Sequence, residues 1–179
     1  MSGCDQPGLM PVEAALARLL AQAEASAIVE TERVNLSDAA GRVLAEPLIA
    51  TLDLPPWDNS AMDGYALRLA DWNGEPLVVS QRIQAGSAPA PLQPGTCARI
   101  FTGAPLPAGA DSVEMQENAV LGEDGRVAFS EPLKLGQNVR AQGQETRIGD
   151  SVLPAGTRLG PIELGLAASL GCAELTVRR

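Results

Sequence analysis

The sequence contains no histidine, which removes the most common catalytic base and the imidazole ligand of most zinc sites. Serine–histidine and cysteine–histidine mechanisms are therefore excluded for this chain. Cysteine is also scarce: Cys4, Cys97 and Cys172 are far apart and form no Cys-x-x-Cys pair. An odd number of scattered cysteines predicts free thiols in a reducing environment, so we expect a cytoplasmic protein.

Basic residues are outnumbered, with 13 lysines and arginines against 22 acidic residues and a formal net charge of −9. Because neutralising phosphates needs a basic face, this balance argues against nucleic acid as a partner. No apolar run is long enough to cross a bilayer, and residues 1–10 lack the pattern of a signal peptide, so we expect no membrane partner.

Aromatic residues make up only 3% of the chain, whereas glycine (18 residues) and proline (14 residues) are frequent. This composition favours short strands and turns over long helices, and the fold class we predict is α+β and β-rich. Apolar spacing predicts two helices, at residues 11–24 and 161–170. Strands are predicted at residues 77–83, 96–101, 112–117 and 126–129, a spacing that indicates a small β-barrel or sandwich.

The densest group of polar side chains lies in one proline-stiffened loop, residues 52–68. It contains Asp58, Asn59, Ser60 and Asp63, and Gly64 closes it. The residues alone support two interpretations. Either the side chains close turns by bonding to nearby backbone amides, or the carboxylates hold Mg²⁺ or orient a substrate.

The same loop carries a resemblance to a known family. Residues 55–68 read P-P-W-D-N-S-A-M-D-G-Y-A-L-R, which resembles the signature of the molybdopterin molybdenumtransferases, the enzymes of the last step of molybdenum cofactor synthesis. The resemblance continues through G-T-C-A-R-I-F-T-G-A-P-L-P-A-G-A-D (residues 95–111), M-Q-E (115–117), G-Q-N-V-R (136–140) and L-P-A-G-T-R-L (153–159). It covers nearly the whole chain.

The resemblance implies a domain organisation. Residues 1–50 and 141–179 are expected to form an elongated, discontinuous α+β domain that dimerises. Residues 51–140 are expected to form an inserted β domain, a small barrel or sandwich, that carries the D-N-S-A-M-D-G loop. Family members continue into two further domains, so the chain is expected to be the N-terminal portion of such an enzyme and to be inactive alone.

The activity implied by the resemblance is insertion of molybdenum from molybdate into adenylylated molybdopterin, with Mg²⁺ as cofactor and release of AMP. A homodimer is implied, with molybdopterin adenylyltransferase and molybdoenzymes as further partners. A rival interpretation is a non-enzymatic dimeric scaffold or binding module.

Motif positions assign roles to six residues by resemblance. Asp63 and Thr102 are expected to be catalytic, with Asp63 also at the metal. Substrate-binding positions are expected at Asn59, Ser60, Gly103 and Glu145.

Two residues depart from the family pattern. Glu145 stands where an aspartate is common, which places its carboxylate differently. Glu114 stands at a place that is usually apolar, and because a buried unpaired carboxylate is costly, we expect it to face solvent or to pair with an arginine such as Arg99.

Overall fold

The computed structural model describes residues 10–130 and 132–179, so the prediction of a free thiol at Cys4 lies outside the described residues. The helices are α1 (Val12–Ala25) and α2 (Pro161–Ser169). The described strands, in chain order, are β1 (Thr31–Asn35), β2 (Leu48–Ile49), β3 (Asn59–Ser60), β4 (Gly64–Leu67), β5 (Leu77–Ile83), β6 (Thr96–Ile100), β7 (Ser112–Met115), β8 (Ala119–Leu121), β9 (Arg126–Phe129), β10 (Val139–Arg140), β11 (Ser151–Leu153) and β12 (Glu174–Arg178). The prediction of a β-rich chain with two helices is confirmed.

The described chain forms two compact units. An outer unit combines the residues up to Leu48 with Leu153–Arg179, and a central unit comprises Ile49–Val152. The chain crosses between the units within β2 and within β11. Residues 141–152, which the sequence analysis assigned to the discontinuous domain, have their contacts in the central unit.

The outer unit is built on an antiparallel pair of strands. β1 and β12 run in register from Thr31 opposite Arg178 to Asn35 opposite Glu174. Helix α2 begins at a proline, which suits the first turn, and the Glu163 carboxylate accepts a hydrogen bond of 2.9 Å from the Gly160 N–H. The buried apolar side chains of this unit are Ala39, Leu44, Leu48, Leu159, Ala167, Leu170, Leu175 and Val177.

Helix α1 follows the predicted amphipathic pattern, but its apolar stripe is not covered. None of its residues is buried, and Val12 is 77% exposed and Leu19 68% exposed. The apolar spacing therefore predicted the position of this helix correctly. Within the described chain, the apolar face that a helix of this pattern usually buries remains open to solvent.

The central unit contains a six-stranded, curled sheet in the order β7-β4-β6-β5-β9-β8. β5 and β6 are parallel, and the remaining neighbours are antiparallel. Apolar residues cover both faces, because Ala66 and Ala98 pack with Ile100 on one side while Leu67 and Cys97 pack on the other. Burial raises the pKa of the Cys97 thiol to about 12, so this cysteine is an inert core residue.

No helix in the described part of the chain is long and apolar enough to cross a membrane.

Candidate functional site

A single segment, residues 142–148, holds the first part of the proline-stiffened loop in place. The Asp53 carboxylate accepts hydrogen bonds from the Ile148 N–H (2.9 Å) and from the Gln142 side chain (2.7 Å). Asp58 accepts a 2.7 Å bond from the Gln142 N–H, and the Leu54 N–H donates to the Thr146 carbonyl at 2.8 Å. Asp53 and Asp58 therefore serve to fasten the loop to residues 142–148, as the structural interpretation of such carboxylates predicts.

Strand β3 places the next two polar residues inside the loop. Ser60 is fully buried, its Oγ donates to the Met62 carbonyl at 2.5 Å, and its carbonyl accepts from the Gly103 N–H at 2.8 Å. Asn59 is 7% exposed, and its side chain contacts the Trp57 carbonyl (3.4 Å) and Arg140 (3.5 Å). The Ser60 side chain thus bonds within the loop, and the Asn59 side chain bonds within the loop and to Arg140 of β10.

Asp63 and Thr102 meet although they lie far apart in the sequence. Oδ1 of Asp63 accepts hydrogen bonds from the Thr102 N–H at 2.8 Å and from its hydroxyl at 2.9 Å. These two bonds, helped by the nearby Arg99 guanidinium, lower the pKa of Asp63 below its ordinary value of 3.8. The carboxylate is therefore held ionised and in one orientation at neutral pH.

A close backbone approach lies directly beside Asp63. Gly64 begins β4 and lies opposite Met115 of β7. A methyl group on Gly64 would lie 1.9 Å from the Glu114 carbonyl oxygen, far inside van der Waals contact. Glycine is needed here because two strands touch, and Gly64 is the first residue of a strand.

Thr102 and Gly103 follow directly after β6 at the same end of the sheet. Gly103 has a φ of +77°, which an L side chain rarely adopts, and its N–H is bonded to Ser60. Four of the predicted site residues, Ser60, Asp63, Thr102 and Gly103, are thus joined by hydrogen bonds.

Glu145 is placed differently from those four. Its backbone N–H donates to the Leu54 carbonyl at 2.9 Å, and its side chain is exposed. Within the described chain, no hydrogen bond joins Glu145 to Asp63 or Thr102.

The expectation for Glu114 is wrong. The residue is fully buried and bonds to amides: the Met115 N–H (2.8 Å), the Asn118 side chain (2.9 Å) and the Gln137 side chain (3.2 Å). One donor from the same strand and two from other segments satisfy the carboxylate without any arginine, so its burial does not carry the penalty of an unpaired charge.

Arg99 has a role beside the site that the sequence analysis did not assign. Its guanidinium donates to the Gly64 carbonyl (2.9 Å) and to the Ile100 carbonyl (2.7 Å), and it lies 4.3 Å from the centroid of the Phe101 ring. These contacts fix the residues next to Asp63 and next to Thr102. In the sequence, this role is indicated only by the order R-I-F-T (residues 99–102), which places an arginine three residues before Thr102.

The site could provide one carboxylate ligand for a magnesium ion whose remaining ligands are waters and substrate phosphates. No described hydrogen-bond donor reaches Oδ2 of Asp63, and the described residues contain no group of three acidic or thiol side chains that would hold a metal by themselves. Mg²⁺ keeps several waters and commonly takes only one or two carboxylates together with substrate phosphates. A single free carboxylate oxygen is compatible with that mode.

Fold and site together define a two-unit, β-rich protein whose polar loop presents an oriented carboxylate and hydroxyl at the end of a sheet. A family model described as "MoeA N-terminal region (domain I and II)" matches residues 10–171. The chain belongs to this family.

Curated relatives are named molybdopterin molybdenumtransferase. The chain is 45% identical over 152 residues to the molybdopterin molybdenumtransferase of Haemophilus influenzae, an alignment covering 84% of this chain and 38% of that protein. It is 41% identical over 177 residues to the molybdopterin molybdenumtransferase of Synechococcus elongatus, covering 94% of this chain and 43% of the relative. The chain therefore spans about two fifths of the length of these relatives.

A solved structure shares the fold. The molybdopterin biosynthesis MoeA protein from Pyrococcus horikoshii superposes with a TM-score of 0.81 at 30% identity, over 92% of this chain and 44% of that one. Recognition of the family from the loop signature is confirmed.

Proposed function

We propose that this chain supplies the N-terminal portion of a molybdopterin molybdenumtransferase and takes part in inserting molybdenum from molybdate into adenylylated molybdopterin, with release of AMP. The observation that carries the proposal is the carboxylate of Asp63, held by two hydrogen bonds from Thr102 with one oxygen left open. The names of the relatives support the substrate, and the shared motif supports the site.

Within this proposal, Asp63 orients the substrate. Oδ1 is fixed by Thr102, so Oδ2 points to one defined acceptor position for a substrate hydroxyl, amine or ion ligand. A fixed carboxylate needs no reorientation during the reaction. It therefore stabilises the transition state better than a mobile carboxylate would.

Mg²⁺ is part of the proposal, with Asp63 as its ligand from this chain. When bound, the ion would neutralise charge on the phosphoanhydride. The residues of this chain hold Asp63 in place and keep it ionised.

Substrate binding is also proposed for Asn59, Ser60 and Gly103. Their backbone groups, more than their side chains, would contact the substrate. Their side-chain and amide bonds within the loop support that role. Glu145 is proposed to contact substrate from the neighbouring segment, supported by its exposed side chain and by its backbone bond to the loop at Leu54.

The proposed architecture is a small β-barrel or sandwich domain inserted into a discontinuous, dimer-forming α+β domain. The curled six-stranded sheet and the division of the chain at Leu48 and Leu153 support it. We also propose a cytoplasmic location, supported by the free thiols of Cys97 and Cys172.

Direct binding tests the site. Calorimetry of the 179-residue chain with adenylylated molybdopterin, with and without Mg²⁺, should give saturable binding that Asp63→Asn weakens by roughly tenfold or more. Asp71→Asn is the matched control, because it makes the same change of charge on an exposed residue of the central unit and should bind as the parent does. Absence of any ligand effect would favour the scaffold alternative.

Activity is tested in a chimera. Residues 10–171 replace the matching region of the Haemophilus influenzae relative, and the product is assayed by reconstituting an apo-molybdoenzyme. The chimera should be active, Asp63→Asn should lower turnover roughly tenfold or more, and the 179-residue chain alone should be inactive. Full turnover by the Asp63→Asn chimera would refute a positioning role.

A further inference from the structure

We infer that the central unit carries a second ligand site, in which Arg82 and Arg99 bind a tetrahedral oxyanion of the phosphate type, either as a free ion or as the phosphate of a larger ligand. This second site does not depend on the proposed function. The two residues lie directly opposite each other on the parallel strands β5 and β6, so both side chains project from the same face of the sheet.

The two cations converge on one aromatic ring. The guanidinium carbon of Arg82 lies 4.7 Å from the centroid of Phe101, and that of Arg99 lies 4.3 Å from the same centroid. Arg99 also lies 5.4 Å from the ring centroid of Tyr65. One ring thus brings two positive charges into a small region, where like-charge repulsion makes a bound anion favourable.

Neither arginine of this pair has a carboxylate within ion-pair distance, and Arg99 interacts with Asp63 only at longer range. Across residues 10–130 and 132–179, neither Arg82 nor Arg99 forms an ion pair, although five other arginines do. In a chain with a net charge of −9, an acidic partner would have been easy to provide. Two guanidinium groups on the same sheet face, neither of them in an ion pair, therefore form a site for an external anion.

A groove of about 410 Å³ runs over the pair. Its lining residues are Tyr65, Val79, Arg82, Arg99, Leu121 and Gly125, and none of them is acidic. The groove thus combines two cationic side chains with the apolar side chains of Val79 and Leu121, against which an aromatic ring of a ligand could pack.

The geometry of the arginines selects the class of anion. The guanidinium of Arg99 donates from Nη1 to two backbone carbonyls and from Nη2 to the Gln116 side chain, and no described bond uses its Nε. The Arg82 side chain makes no described hydrogen bond, so both residues present unused N–H donors. A carboxylate has two oxygens and matches one guanidinium fork, whereas a phosphate has enough oxygens to accept from both. Oxyanions of the phosphate type are therefore preferred over carboxylates.

The test is a titration of the ¹⁵N-labelled 179-residue chain followed by NMR, at constant ionic strength set with chloride. Inorganic phosphate, AMP and acetate are the three probes. Phosphate should produce saturable shifts at the Leu121 and Gly125 amides and at the Arg82 and Arg99 Nε signals. If the site takes a phosphate carried by a larger ligand, AMP will bind more tightly than phosphate and will also shift the Tyr65 ring, whereas equal affinity will assign it to the free ion.

The decisive variant is Arg82→Gln, which removes one charge without breaking a described hydrogen bond. It should weaken phosphate binding by about tenfold or more, and Arg99→Lys should weaken it as well, since lysine cannot form the fork. Arg68→Gln, an exposed arginine of the same unit outside the groove, should leave the affinity unchanged.

Three results would overturn the inference: no saturation by about 10 mM phosphate, equal weakening by Arg82→Gln and Arg68→Gln, or acetate binding as tightly as phosphate.

Discussion

Replacing Gly64 with alanine should damage the central unit more than any other glycine substitution in the loop region. The added methyl would lie 1.9 Å from the carbonyl oxygen and 2.9 Å from the carbonyl carbon of Glu114. Both atoms belong to the backbone of a paired strand, so neither can swing away as a flexible side chain would. The strands β4 and β7 must move apart, with loss of hydrogen bonds between them.

The expected cost follows from this contact. Overpacking a well-filled site typically costs about 1–3 kcal/mol, and a clash with backbone in mid-sheet should reach the upper end, about 3 kcal/mol. Gly74→Ala is the control, because Gly74 has open space around it and a φ of +94°. Its cost should come from the backbone conformation alone, about 1–2 kcal/mol.

Urea unfolding followed by tryptophan fluorescence measures both costs. Trp57 and Trp72 both lie in the central unit, so the signal reports on the unit that contains the substitution. In the folded Gly64→Ala protein, the Thr102 amide resonance should also shift, because Asp63 directly precedes the displaced strand. Unfolding within about 0.5 kcal/mol of the parent protein would refute the close approach of the two strands.

Two further predictions concern carboxylates. Because the folded-state pKa of Asp63 is lowered, the stabilisation from its Thr102 bonds is present above the ordinary value of 3.8 and is lost as pH falls through the lower folded value. An NMR titration of the Thr102 amide should have its midpoint below 3.8, and a midpoint at or above that value would contradict the contact. Glu114→Gln should lower the free energy of unfolding in urea by about 1–3 kcal/mol, because its new amide NH₂ would face the NH₂ of Gln137, and two donors cannot bond to each other. The control, Glu117→Gln at an exposed position, should have almost no effect.

The strands and helices were predictable because they have local patterns. Apolar spacing located β5 and β9 at their observed bounds and α2 to within one residue. Strands β3 and β10 have two residues each, too few for any periodicity, and they exist because Ser60 and Val139 pair across the chain. Such pairing depends on tertiary structure and cannot be predicted from a short stretch of sequence.

The sequence named the residues of the candidate site but not their arrangement. The motif named Asp63 and Thr102 separately, and only the fold shows that they bond across 39 positions. Glu114 was misjudged for the same reason, since its donors Asn118 and Gln137 come from other segments. Burial of a polar side chain can be judged only when its partners are known.

Homodimer formation is the remaining prediction, and the exposed apolar surface of the outer unit supports it. Helix α2 is apolar nearly all round, yet Ile162 is 81% exposed and Gly165 and Ala168 are also exposed. A helix of this kind needs cover on more than one side. Small residues permit close approach, and a second copy presenting the same patch across a two-fold axis would provide the cover.

Light scattering at micromolar concentration tests the dimer. The parent chain should give twice the 18.5 kDa of one chain. Ile162→Glu should shift the mass toward one chain, because it would bury a charge at the centre of the patch. Leu135→Glu should not, although Leu135 is also an exposed apolar residue, 73% exposed, because it lies in the central unit. A mass that stays at 18.5 kDa as the concentration rises would show that this surface alone does not hold two copies together.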